Sequence, residues 1–426
     1  MGFCFILIMS NSDLYKIYLK NPHICTDSRN IKSGGIFFAL SGEHFNGNKF
    51  ALEAIKKGCS FAIIDDKKYN RKPNTILVEN VLKTLQDLAK THREKLTIPV
   101  IGITGTNGKT TSKELIKNVL KSCMNCYATK GNLNNHIGVP LSILEINSRH
   151  DIAVIEMGAN HKNEIDFLCN ISKPTHGVIT NIGKAHLKGF GDYDGVLKTK
   201  NELYNYIKHN NGMLFVNKDD EQLVNLSNEI SQENYGHKSN LELRIISNKP
   251  FINIKWGEYI LKSNLIGEYQ YYNIALAVCI GKHFKVSNEK ICIQIKKYKP
   301  KNNRSQIINT KNNVVILDAY NANPSSMKAM ICSFANQNYD NGLLILGDML
   351  ELGAYSINEH NLIISICKKL KLNFILVGEE FSKVHKDSLE GVEELCEFVK
   401  KNPINNKTIL IKGSRGISLE LIVPFL

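Results

Sequence analysis

A glycine-rich run, Gly102-Ile103-Thr104-Gly105-Thr106-Asn107-Gly108-Lys109-Thr110-Thr111, constrains this chain more than any other stretch. Ile98, Val100, Ile101 and Ile103 lead into it as a buried strand. Leu115, Ile116, Val119, Leu120 and Cys123 follow it as one face of a helix. Strand, glycine loop, helix is the arrangement that turns backbone N–H groups and the positive end of a helix toward phosphate. In such a loop Lys109 would reach the outer phosphates and the Thr110 hydroxyl would bind Mg²⁺. The spacing departs from the strict pattern once. Ile103 stands where a glycine would lie five residues before Gly108, and glycines fall at 102 and 105 instead. A glycine turn without a ligand is the bland alternative, and the Gly-Lys-Thr ending between strand and helix argues against it.

The rest of the chain supports a multidomain α/β protein. Its 426 residues exceed one ordinary domain, and 43% hydrophobic with 22% charged residues is a globular composition. No stretch approaches the ~20 apolar residues that a spanning helix needs. The apolar opening Phe3 to Met9 lacks a preceding basic residue, which argues against a signal peptide and leaves Met9 as an alternative start. The 54 basic residues against 40 acidic ones give +14, but they are scattered among Asn and Ile rather than gathered in a block. A compositional bias explains this better than nucleic-acid binding, although a polyanionic substrate would benefit. Eleven cysteines, several inside apolar runs (Cys59, Cys169, Cys279, Cys367), suit a reducing cytoplasm. Cys123 and Cys126 have no second pair with which to bind zinc.

Texture divides the sequence into an expected N-terminal domain (1–80), a central phosphate-loop domain with a mainly parallel sheet (81–301) and a Rossmann-like C-terminal domain (302–426). Val81 to Leu96 reads as a connecting helix. From Pro99 to about Pro300, buried-strand runs alternate with helices. Tyr298 to Arg304 is polar and reads as a linker. Four strand-like runs follow at α/β spacing: Val314 to Leu317, Leu343 to Leu346, Phe374 to Val377 and Thr408 to Ile411. Each ends on a polar or glycine residue, where open α/β sheets place ligands.

At Thr104 to Thr111 the sequence resembles the ATP loop of the Mur ligases, the peptide-bond-forming enzymes of peptidoglycan precursor synthesis. Folylpolyglutamate synthetases share the loop but usually continue Gly-Lys-Gly-Ser. Four further stretches resemble the D-alanyl-D-alanine-adding branch of the Mur family: Asn132-Leu133-Asn134-Asn135-His136-Ile137-Gly138-Val139-Pro140, Glu156-Met157-Gly158-Ala159-Asn160, Tyr320-Asn321-Ala322-Asn323-Pro324 and Lys412-Gly413-Ser414-Arg415. Asp27-Ser28-Arg29 and Gly35 to Leu40 are also similar. The resemblance runs from about residue 12 to the end.

It implies an ATP- and Mg²⁺-dependent ligase that joins D-alanyl-D-alanine to UDP-N-acetylmuramoyl-tripeptide through an acyl phosphate, acting as a cytoplasmic monomer without nucleic acid or membrane insertion. A carboxylate is a poor electrophile, and phosphorylating it brings two anions together. Cations and fixed dipoles therefore matter more here than a covalent nucleophile. Glu156, directly after the buried run Ile152 to Ile155, is placed as a Mg²⁺-binding acid. His186 alone would more often be structural; the resemblance makes it a holder of a second Mg²⁺. Lys200, fourteen residues on, resembles the family's carbamylated lysine, with Lys198 as a competitor.

The resemblance further assigns Gly105, Thr106, Asn107, Gly108, Lys109, Thr110 and Thr111 to ATP. It adds Arg304 for the phosphates, Asp318 for the ribose, Asn321 and Asn323 as nucleotide contacts and Asn273 for the adenine. Asn303 replaces the usual glycine before Arg304, and Gln270 the first Asn of an Asn-x-x-Asn pair. Ser28 and Arg29 are expected to hold the UDP-sugar, while Phe45-Asn46-Gly47-Asn48 departs from the common Phe-Asp-Gly-His. Asn134, Asn135 and His136 would take the pyrophosphate or peptide, and Lys412, Ser414 and Arg415 the dipeptide's carboxylate. The bland alternative for any one of these polar residues is a turn cap. The rival readings are another amino-acid-adding ligase, a folate polyglutamylase, or a nucleotide-binding protein that uses its basic surface without catalysis.

Overall fold

The structure, a computed structural model, describes residues 9–71 and 73–426. The reading of Met1 to Ile8 as a segment before the true start lies outside those residues. Two compact units divide the chain. One holds the residues up to Gly102 with Met124–Gly158 and Glu164–His176; the other holds Ile103–Cys123, Ala159–Asn163 and Gly177–Leu426.

In the first unit, short apolar runs broken by Gly and Asn become short strands: β1 (Ile24–Cys25), β2 (Ile36–Phe38), the hairpin β3 (Ser41–Gly42) and β4 (Phe45–Asn46), β5 (Phe61–Ile64) and β6 (Thr75–Leu77). Four of them form a parallel sheet in the order β1-β2-β5-β6. Phe37, Ala39, Ala62 and Ile64 pack there against Ala51 and Ala54 of the helix Ala51–Lys56. The expected connecting helix is Val81–Glu94. Asn80 caps it by accepting from Lys83 N, and Val81, Leu85, Leu88 and Ala89 form its buried stripe.

A six-stranded sheet carries the central region: β7 (Val100–Thr104), β8 (Cys126–Ala128), β9 (Ile152–Glu156), β10 (His176–Ile179), β11 (Met213–Asn217) and β12 (Ser231–Tyr235), in the order β12-β11-β10-β7-β9-β8. The helix after β7 ends at Leu120, so Cys123 is not on its apolar face and is exposed. None of the described cysteines forms a disulfide.

Within the second unit, one sheet was not expected. β13 (Leu243–Ser247), β14 (Asn253–Trp256) and β15 (Tyr259–Lys262) pair antiparallel. Residues 243–262 alternate buried and exposed instead of forming a continuous apolar run, the pattern of a sheet with one wet face. The C-terminal sheet holds β16 (Gln306–Asn309), β17 (Val314–Asp318), β18 (Gly342–Gly347), β19 (Asn373–Val377) and β20 (Thr408–Lys412) in the order β16-β17-β20-β18-β19. Four of these strands match the expected runs. β16 adds an antiparallel edge that its half-exposed sequence concealed. Among the described residues, no helix is long and apolar enough to cross a membrane.

Candidate active site

The phosphate loop belongs to the second unit. Its apparent irregularity has a simple cause: Ile103 is fully buried in β7, so the turn begins only after Thr104. Gly105 sits at φ +136°, and a Cβ there would lie 2.1 Å from Thr180 Oγ1. Gly108 sits at φ +81°, with Asn273 Oδ1 2.6 Å from any added Cβ. A side chain at either position would collide with the residues bracing the loop and strain a backbone with positive φ, so both positions call for glycine.

Neighbouring segments brace the loop. Thr106 N donates to Asn181 O (2.9 Å) and Asn107 N to Asn181 Oδ1 (3.0 Å). Thr180 Oγ1 donates to Asn107 O (2.6 Å), and Gly183 N donates to Thr106 Oγ1 (2.9 Å). Asn273 Oδ1 accepts from Ser112 Oγ (2.9 Å), while its amide donates to Gln270 Oε1 (2.6 Å). Asn273 therefore lies beneath the loop's helix end. Lys109 Nζ rests on the carbonyls of Gly105 (2.6 Å) and Thr106 (3.1 Å), within reach of a phosphate held by the loop. Thr110 and Thr111 open the following helix.

A second cluster gathers at the ends of β17 and β20. Asp318 Oδ2 accepts from Lys412 Nζ (2.6 Å), and its Oδ1 accepts from Ser305 N (2.9 Å). Lys412 is almost fully buried, so its charge faces Asp318. Ser414 is buried as well: its Oγ accepts from Leu350 N (3.0 Å). Of the three residues expected to face the dipeptide, only Arg415 is exposed. The guanidinium of Arg304 lies 3.6 Å from the centre of the Tyr320 ring and that of Arg415 5.5 Å from it, so one aromatic ring organises two cations. Asn321 Oδ1 accepts from Ala322 N. Asn323 caps the helix Pro324–Asn336 in a capping box with Ser326, Pro324 filling the first helical position. Its Nδ2 also donates to Asn107 Oδ1 (2.8 Å), tying this cap to the phosphate loop.

The region expected to be a linker is held too. Burial pushes the Tyr298 phenol up to about 12, against the opposing effects of Arg304 and of a hydrogen bond with the Thr111 side chain. His186 and Glu351 form an ion pair through His186 Nδ1. That bond, more than the accompanying charge, holds the Glu351 carboxyl below its usual value. Both residues adopt positive φ (50° and 66°), and Lys188 N donates to Glu351 O (3.1 Å). Strained backbone in two bonded polar residues marks a place where position matters more than stability. Lys200 is buried on the helix Tyr193–His209, its ammonium 5.4 Å from the Phe190 ring centre; Lys198 is exposed.

In the first unit, Glu156 ends β9 almost fully buried. Asn134 Nδ2 donates to its Oε1 (2.9 Å), which fixes the carboxylate's direction. Asn135 Oδ1 accepts from Ile137 N and Gly138 N at the start of the helix Gly138–Leu144, and the His136 side chain is exposed. Among the described residues Arg29 is paired only with Asp27 (2.7 Å), its side chain 85% exposed, and Ser28 lies between them in sequence. Asn48 is buried and committed to the fold, donating to Asp65 Oδ1 (2.8 Å) and accepting from Asp65 N (3.0 Å).

Sequence reasoning passed over Asn181, Tyr320, Glu351 and Tyr298. Asn181 and Tyr320 lie at strand ends, the signal that singled out their neighbours. Glu351 and Tyr298 gave none, because their roles come from partners remote in sequence.

Three family profiles match the chain: "Mur ligase family, catalytic domain" over residues 22–93, "Mur ligase middle domain" over 103–281, and "Mur ligase, glutamate ligase domain" over 303–415. A relative from Bacillus subtilis (strain 168) is 33% identical across 97% of this chain and 96% of its own length. The chain belongs to the Mur ligase family. That relative is named UDP-N-acetylmuramoyl-tripeptide--D-alanyl-D-alanine ligase, as is one from Escherichia coli (strain K12), 29% identical over 97% of this chain and 95% of its own. Among solved structures, MurF from Acinetobacter baumannii aligns with TM-score 0.83 at 28% identity, covering 94% of this chain and 92% of that one. MurF ligase from Thermotoga maritima in complex with ADP aligns with TM-score 0.82 at 25% identity, covering 96% and 97%. The three-domain α/β architecture of the Mur ligases, with mainly parallel sheets, is thus the architecture of this chain.

Proposed function

We propose that this Mur ligase joins D-alanyl-D-alanine to UDP-N-acetylmuramoyl-tripeptide in the cytoplasm as a monomer, using ATP, with domain divisions near residues 80 and 301. The braced loop Thr104 to Thr111, in a chain that matches ligases of that name along nearly its whole length, carries the reading.

The chemistry has two steps. A carboxylate oxygen of the tripeptide attacks the γ-phosphorus and ADP leaves, giving an acyl phosphate. The dipeptide's amine then attacks the acyl carbon, phosphate leaves, and the amine loses a proton. In the first step the loop N–H groups and Lys109 offset the charge gathering on the transferred group. Lys109 moves from the carbonyls of Gly105 and Thr106 to the phosphates. Arg304, held on Tyr320, supplies a second cation. Asp318 accepts from the ribose with its free capacity, and Asn273, Asn321 and Asn323 keep the nucleotide's surroundings rigid. Ser28, Arg29, Asn134, Asn135 and His136 serve the UDP-sugar peptide, and exposed Arg415 serves the incoming dipeptide, with Lys412 and Ser414 buried behind it and committed to Asp318 and Leu350 N. Closure of the C-terminal domain would keep water from the acyl phosphate.

The residues suit Mg²⁺. The buried Glu156 carboxylate, directed by the Asn134 amide, is a hard oxygen donor of the kind this ion takes alongside phosphates and water. The resemblance would give Thr110 and Glu156 to one Mg²⁺ and His186 with a carbamylated Lys200 to a second, and such ions, when bound, would polarise the phosphoryl oxygens. Glu351 orients His186 as a carboxylate does behind a ligating imidazole.

The test is phosphate release from ATP with the UDP-tripeptide present. It should depend on D-alanyl-D-alanine, and release that ignores the dipeptide would defeat the assignment. A panel of single amino acids and glutamate separates the other Mur and folate activities.

A further inference from the structure

The unexpected sheet β13–β15 has two different faces. Leu243, Ile254, Trp256 and Leu261 are buried on one. The other presents Arg244 and Ile246 on β13, Lys255 on β14, and Ile260 and Lys262 on β15, all exposed. The register makes the second face unusual. Arg244 stands directly opposite Lys255, with Ile260 on the other side of Lys255. Like charges directly opposite each other weaken an antiparallel pair. Among the described residues, no carboxylate forms an ion pair with Arg244, Lys255 or Lys262. The nearest acids in sequence, Glu242 and Glu258, stand in the loops at the strand ends. Ile246 and Ile260 are 52% and 53% exposed, large for aliphatic side chains flanked by cations.

We propose that this face, Arg244, Ile246, Lys255, Ile260 and Lys262, docks the protein on an anionic lipid surface. Three unpaired cations on one face suit a negative plane that relieves their mutual repulsion. The side chains among them are aliphatic. They suit the boundary between headgroups and acyl chains, whereas a single-stranded nucleic acid would ask for aromatic platforms. The face lies apart in sequence from every residue assigned to the reaction, so docking does not depend on the proposed ligase activity.

The experiment is co-sedimentation of the full chain with vesicles of phosphatidylcholine, with or without phosphatidylglycerol. The wild-type protein should pellet with the anionic vesicles alone, and less so as salt rises. R244Q/K255Q/K262Q should lower partitioning roughly a hundredfold, and I246S/I260S about tenfold with little salt dependence. Dipeptide-dependent ATP turnover of both variants should remain at the wild-type rate, which also certifies their folding. Should the triple variant fail to fold, K255Q alone serves: it removes the like-charged pair and should reduce partitioning about fivefold without lowering Tm. Indifference of the wild type to anionic vesicles overturns the proposal, as does undiminished binding by the cation variants. Preference for single-stranded RNA over vesicles through the same three cations overturns it as well.

Discussion

The phosphate loop and the Asp27–Arg29 turn each carry expected ligand contacts, yet they are built in opposite ways. Around Thr106 and Asn107, backbone and side-chain bonds arrive from Thr180, Asn181, Gly183 and Asn323, and two glycines leave no room for a Cβ. Among the described residues Arg29 has one side-chain partner, Asp27, two residues away, and its side chain is mostly in water. The first site is organised before ligand arrives, and binding there need not order the protein. The second must lose side-chain freedom on binding, which offsets part of what its charge contributes. Residues of the first kind should govern turnover. Residues of the second kind should govern how much substrate is needed.

The largest effect should come from Lys109. K109A removes the flexible cation that the rigid loop itself carries, so kcat should fall by about 10³ or more while Tm changes little. Thermal unfolding with and without ATP checks the folding. Turnover within tenfold of wild type would remove the loop from the mechanism and erase the contrast between the two regions.

A middle effect separates bracing from capping. Asn323 both caps its helix and donates to Asn107 Oδ1. Aspartate is an equally good cap but has no donor to offer Asn107. N323D should therefore keep Tm near wild type and lower kcat/KM about fivefold, the value of one hydrogen bond of about 1 kcal/mol. N323A should show that loss plus about 1 kcal/mol of stability from the missing cap. Tm values lowered equally in the two variants would mean that the bond to Asn107, not the cap, holds this end of the helix.

How much of this could be read in advance follows the same division. The loop was legible because strand, glycines and Lys-Thr are contiguous, and local chemistry suffices to recognise them. The four parallel C-terminal strands were legible as apolar runs. β13–β15 were not, because a half-wet sheet alternates and its signal per strand is weak over four or five residues. Lys412 illustrates the harder limit. Its sequence neighbours, Gly413, Ser414 and Arg415, suggest a cation waiting for an anion, and only the pairing of β17 with β20 brings Asp318 to it. His186 and Glu351 are 165 residues apart, and nothing in either stretch announces the other.

The smallest effect should come from Arg29. R29Q should raise KM for the UDP-sugar peptide about threefold to tenfold and leave kcat unchanged, the signature of binding shared equally by ground and transition states. The pair's own titration supplies a control. The hydrogen bond from Arg29 holds the Asp27 carboxyl down at about 2, below its ordinary 3.8. A carboxyl depressed in this way favours the folded arrangement above 3.8 and stops doing so as pH falls through about 2. The pair is therefore intact at every pH at which a ligase assay runs, and the ratio of R29Q to wild-type KM should be flat from about pH 5 to 8. A ratio that changes across this interval would mean that Arg29 acts through a group titrating near neutrality instead of through Asp27. Arg29 would then belong with the organised residues, and the contrast between the two regions would fail at its weaker end.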